Sequence, residues 1–134
     1  MPPRFVGGLR GWSRVSNTVL LVESDPKRAK MLREALQPSG CQVHTVPDGL
    51  EALRWLRTSM PQLILVEQNA SWVDGFRICR LVKFHKKRQH IPVVLMTRVA
   101  SDEGRRLAET VKADAYVEDK AGIEAVVRAA KQWV

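Results

Sequence analysis

Apolar residues fall along this chain in short unbroken runs, separated by stretches with helical spacing. Val19-Leu20-Leu21-Val22 and Leu63-Ile64-Leu65-Val66 are continuous runs of strand formers, as expected of strands buried on both faces. Ile91–Thr97, with Val93-Val94-Leu95-Met96 inside it, is a third such run. Gln42–Val46 alternates polar and apolar and reads as a strand with Val43 facing in, and Ala115-Tyr116-Val117 reads as a short last strand. Between them the period changes. Asp25 and Pro26 have the chemistry of a helix cap and first helical residue, Leu32, Ala35 and Leu36 mark a core stripe, and Pro38-Ser39-Gly40 ends it. Asp48-Gly49 opens a second helix on Ala52, Leu53 and Leu56. A third runs from about Gly75 to His85, with Phe76, Cys79 and Val82 or Ile78 and Leu81 inward. Asp102–Thr110 is a polar helix with a thin apolar face (Leu107, Val111), and Ile123, Val126, Val127 and Ala130 line a last one.

Strand and helix therefore alternate five times, which calls for a parallel sheet with helices on both faces. Right-handed crossovers leave few topologies, and the natural strand order is 2-1-3-4-5. The expected fold is α/β: a flavodoxin-like (βα)5 three-layer sandwich.

Length adds one point: 134 residues make one domain with a real core. Residues 1–17 are rich in Pro, Gly and Arg and lack periodicity. They are expected to form a flexible basic arm ahead of a domain spanning 18–134, with Phe5, Leu9 and Trp12 as its apolar docking points. The formal charge is +8, and Arg4, Arg10 and Arg14 supply three of those charges before the first acid. A basic surface suits anionic partners, and it also serves solubility alone. No apolar run is long enough to span a bilayer, and the N-terminus lacks the apolar stretch of a signal peptide. Cys41 and Cys79 have neither metal-pair nor disulfide spacing and read as packed thiols of a reduced, cytoplasmic protein. His44, His85 and His90 carry no metal spacing. No glycine-rich phosphate loop or GxSxG elbow is present.

The chemistry is expected where the central strand, Leu63–Val66, ends on Glu67. In an open α/β sheet, sites form beyond the carboxyl ends of the strands. Taken together, LLVESDP, DGLEALRWL, LILVE, VDGFRICRLVK, IPVVLMT and ADAYVEDK, spread over Thr18–Trp133, resemble a response-regulator receiver domain. The resemblance implies a switch. A strand-three aspartate accepts phosphate from a histidine kinase, two acids after strand one help hold Mg²⁺, and a hydroxyl and a lysine contact the phosphoryl group. An aromatic on strand five turns inward.

Carried onto this chain, that pattern is incomplete. The phosphoacceptor position is Glu67, the acid pair falls on Glu23 and Ser24, and the lysine position is Asp119, with Lys120 where a proline is usual. Thr97 keeps the hydroxyl, followed by Arg98, and Tyr116 keeps the aromatic. Glutamate carries its carboxylate about 1.5 Å further out than aspartate, and a displacement of about 1 Å costs on the order of 10²-fold in a positioned reaction. Mg²⁺ has only Glu23 as a candidate side-chain acid, so no cofactor is expected. Glu23, Glu67 and Asp119 would raise each other's pKa unless a cation compensates. Arg98 and Lys120, each one residue from a pocket position, are the candidates to pair with Glu67. The plainer reading of Glu67 is a solvated acid at a strand end.

The leading expectation is a pseudo-receiver, not an enzyme. It would bind a signalling protein through helix four, strand five and helix five, the face that the resemblance implies. A working phospho-receiver using Glu67 and Mg²⁺ is the second reading. Nucleic-acid binding through the arm and Lys83–Arg88 is the third, against the simpler view that those cations suit a helix C-terminus. Trp72, just after Glu67, reads as an interface anchor, Trp55 as core, and Trp133 as packing on a homodimer partner or a following domain.

Overall fold

The computed structural model describes residues 4–6, 13–15 and 17–134. Five parallel strands make the sheet: β3 (Thr18–Val22), β4 (Gln42–Val46), β5 (Leu63–Glu67), β6 (Val93–Thr97) and β7 (Ala115–Glu118), in the spatial order β4-β3-β5-β6-β7. This is the 2-1-3-4-5 order expected from the alternation of elements. Within the arm, β1 (Arg4–Val6) and β2 (Ser13–Val15) pair as an antiparallel ribbon, although no strand was expected there. Leu9 and Trp12 lie outside the described residues.

Five helices cover the sheet: α1 (Pro26–Leu36), α2 (Gly49–Leu56), α3 (Gly75–Lys83), α4 (Asp102–Thr110) and α5 (Glu124–Ala130). The strands feed two cores because successive side chains point to opposite faces. Leu20, Val22, Ile64, Val66, Val93 and Leu95 pack under α2, α3 and α4, with Ala52, Ile78, Cys79 and Ala108. Val19, Leu21, Leu63, Leu65, Val94 and Met96 pack under α1 and α5, with Leu32, Leu36, Val126 and Ala130. All twelve strand residues are essentially inaccessible, which is why the runs are continuous rather than alternating.

The helices start where capping side chains stand. Asp25 accepts from the Lys27 N–H, Asp48 from Glu51, Asp74 from Arg77 and Ser101 from Gly104, each at 2.9–3.0 Å. Ile78, Cys79 and Val82 form the buried face of α3 with Phe76 packed at its edge, so the set Phe76, Cys79 and Val82 faces inward as expected, whereas of the alternative pair Ile78 is buried and Leu81 is exposed. Trp55 is half-buried and stacks on His44 with ring centroids 5.1 Å apart. Trp133 packs into the α1–α5 core, and its carbonyl accepts from Gln62 Nε2 at 2.5 Å.

Candidate functional site

Sheet register brings the candidate acids together. Val22 pairs with Val66, so Glu23 and Glu67 leave neighbouring strands at the same level. Thr97 pairs with Glu118, and the Asp119 N–H donates to the Thr97 carbonyl at 2.8 Å, which adds the end of β7 to the same edge. Gly75 closes the loop after β5. A Cβ there would stand 2.5 Å from the Glu67 carbonyl oxygen, so only glycine lets α3 begin so close to the site. The result is a cleft of about 190 Å³ lined by Glu23, Ser24, Arg28, Glu67, Thr97 and Asp119 among others.

Arg28 stands at the centre of this cleft's electrostatics. It is 9% exposed, its Nε lies 3.0 Å from Glu23 Oε1, and its Nη2 donates to Asp119 Oδ2. Glu23 and Asp119 are 3% and 4% exposed. The other Glu23 oxygen accepts from the Asp25 N–H at 3.1 Å. Burial foremost, then a hydrogen bond with the Glu67 carboxyl, pushes the Glu23 carboxyl up to about 8. The Asp25 N–H and the Arg28 charge act in the opposite direction. Asp119 is also raised, by burial, against the lowering charges of Arg28 and Arg98. Glu67 Oε1 accepts from the Ser24 N–H at 3.3 Å and the Ser24 hydroxyl at 3.1 Å.

The expected pairing of Arg98 or Lys120 with Glu67 is not what forms. Among the described residues Glu67 makes no ion pair, and both Arg98 and Lys120 are exposed. Asp119, not Lys120, takes the inward position at the end of β7. The cation comes from α1 instead, a source that reasoning by sequence neighbours missed. Its signal was present: Arg28, Leu32 and Leu36 share one helical stripe, so a charge stood on the core face. It also stands in the first turn of α1, which contains no acid, and a cation there opposes the helix dipole unless acids compensate.

Thr97 is buried, and its hydroxyl donates to the Val99 carbonyl at 3.1 Å, within its own loop. The Tyr116 hydroxyl donates to Gln68 Oε1 at 2.8 Å and accepts from the Ser101 N–H at 3.4 Å. Gly104 makes room for it, since a Cβ there would fall 2.2 Å from that hydroxyl. Gln68 directly follows Glu67, so the ring is tied to the residue beside the cleft. Trp72, in the loop between β5 and α3, is 80% exposed with φ +70°, a left-handed conformation that is costly for a bulky side chain.

Among the described residues, no three Asp, Glu, His or Cys side chains are arranged to hold a metal ion. Burial pushes the Cys79 thiol up to about 12 and also raises Cys41, the behaviour of inert packed thiols. The basic segment lies at the other end of the sheet, before β6. Lys83 Nζ pairs with Asp114 Oδ2 at 2.7 Å and donates to the Ile91 carbonyl at 2.9 Å. Arg88 Nη2 donates to the Leu56 carbonyl at 2.6 Å. Two cations of this segment, read as a solvated helix end or, in the third reading, as a nucleic-acid contact, are therefore half-buried and engaged within the chain. No helix among the described residues is long and apolar enough to cross a membrane.

Residues 19–131 match the family described as response regulator receiver domain. The chain is 24% identical over 120 residues to the polar-differentiation response regulator DivK of Brucella ovis, covering 90% of this chain and 98% of that protein. The DivK of Brucella anthropi is 25% identical over 117 residues, covering 87% and 95%. Among solved structures, the signal receiver domain of a signal transduction histidine kinase from Syntrophus aciditrophicus superposes with a TM-score of 0.77 at 27% identity, covering 87% of this chain and 88% of that one. Chemotaxis response regulator CheY4 of Vibrio cholerae gives 0.78 at 22% identity, covering 90% and 99%, a likeness of fold.

Proposed function

This chain belongs to the response regulator receiver domain family of two-component signalling, and from that premise we propose that it works as a pseudo-receiver, a protein-interaction module whose state does not depend on phosphorylation. The observation that carries this reading is the condition of Glu67. Its carboxyl is held by both donors of Ser24 beside the buried Glu23, and the end of β7 turns an acid, Asp119, into the cleft. Phosphoryl transfer is mostly positioning plus charge neutralisation. Here the nucleophile position is engaged, and the residue at the lysine position is negative.

The same arrangement does not fit Mg²⁺, which wants six oxygen ligands in near-octahedral geometry. Glu23 and Asp119 are already committed to a guanidinium, and Ser24 offers a neutral hydroxyl. Residues 18–134 act as the receiver body, with 1–17 as an appended arm. The proposed partner is a cytoplasmic signalling protein docking on α4, β7 and α5. Exposed Leu107 and Val99, together with Arg105 stacked 5.7 Å from the Tyr116 ring centre, support that face.

Incubating the intact chain with Mg²⁺ and acetyl phosphate, then measuring intact mass, tests the reading. The expected result is an unchanged mass. A phosphoryl adduct that disappears in Glu67→Ala would establish the phospho-receiver instead.

A further inference from the structure

The carboxyl groups of Glu23, Glu67 and Asp119 cluster in one cleft against a single buried guanidinium. We infer that Arg28 is the site's resident cation: a tethered guanidinium that takes the charge role of a divalent ion and keeps such ions out. This deepens the pseudo-receiver reading and rests on it for its meaning. Arg28 is itself nearly buried, and it bridges acids from two separate elements, Glu23 after β3 and Asp119 after β7. It does so from the first turn of α1, where the helix dipole disfavours it, so the acids hold it there. Asp119 Oδ1 and Glu23 Oε1 are both buried without a hydrogen-bond partner, so the guanidinium is the polar group that each acid has to face. A guanidinium is planar, always charged and weakly hydrated, which suits it to a permanent buried role that a metal ion fills only reversibly.

Two features separate this site from a metal-binding one: the cation Arg28 and the missing carboxylate at Ser24. The experiment separates them too. Mn²⁺ serves as the probe, read by electron paramagnetic resonance of the free ion and by Tm, with no phosphodonor present. Wild type and Ser24→Asp are expected to leave Mn²⁺ free at millimolar concentration. Ser24→Asp combined with Arg28→Met is expected to bind it, with Tm rising by about 4 °C or more well above the Kd. If Ser24→Asp alone binds Mn²⁺, the missing acid was the barrier and the inference is overturned. The same holds if wild type binds it, or if the folded double variant does not. A double variant that folds only with Mn²⁺ supports the inference, and one that stays unfolded with the ion overturns it. Mn²⁺ binding by wild type or by Ser24→Asp alone, without a phosphoryl adduct, would sink this inference and leave the proposed function standing, whereas an adduct on wild type would sink the function itself.

Discussion

The two ends of the sheet use buried cations differently. At the carboxyl end, Arg28 bridges Glu23 and Asp119 while Glu67 lies alongside, so acids outnumber the bridging cation. At the amino end, Lys83 meets Asp114 and two backbone carbonyls, and Arg88 meets the carbonyl that ends α2. The second arrangement is a seam: it closes orphan carbonyls at helix and loop ends and asks nothing further. The first holds excess buried acid against one guanidinium, which is the condition that perturbs pKa values and marks a site. Cations are plentiful at both ends, and what distinguishes the ends is what the cations face.

Removing each cation in turn has the largest expected effect. Arg28→Ala leaves the buried Asp119 without its cation and the buried Glu23 carboxyl without its partner, and is expected to cost about 3–5 kcal/mol in urea unfolding. Lys83→Met should cost less, about 1–3 kcal/mol, because Asp114 keeps some solvent and the Val93 N–H. Equal losses would mean that the cleft is only another seam.

The two ends also differ in titration. Glu23 is raised from 4.5 to about 8 in the folded chain. Between those values the folded state holds more protons than the unfolded one, so stability falls as pH rises from about 4.5 through 8. Glu23→Gln is expected to flatten that part of the Tm-against-pH curve, while Lys83→Met should leave it sloping. The smallest effect is expected at the exposed remainder of the basic segment. Lys86→Glu with Lys87→Glu should change stability by within about 0.5 kcal/mol. A salt-sensitive shift of DNA mobility, lost in that pair, would revive the nucleic-acid reading.

Much of this was legible in the chain. The continuous runs at Val19–Val22 and Leu63–Val66, the caps at Asp25 and Asp48, and the acids at strand ends follow from local period and chemistry. Glu67, Glu23, Ser24 and Asp119 were brought together as the strand ends implied. Arg28 was not foreseen, because a search for compensating cations among sequence neighbours cannot see across to another helix. Lys83 and Arg88 looked like surface charge for the same reason: the carbonyls they cap belong to Ile91 and Leu56, reached only after folding.

Sequence alone determined the order of elements, the sheet order and the identity of the acids at its edge, because hydrophobic period and capping act over a few residues. Tertiary structure decided which cation answers those acids and which basic residues stay in water. Those choices depend on desolvation and on distances between segments far apart in the chain, and such quantities exist only once the sheet has closed over its two cores.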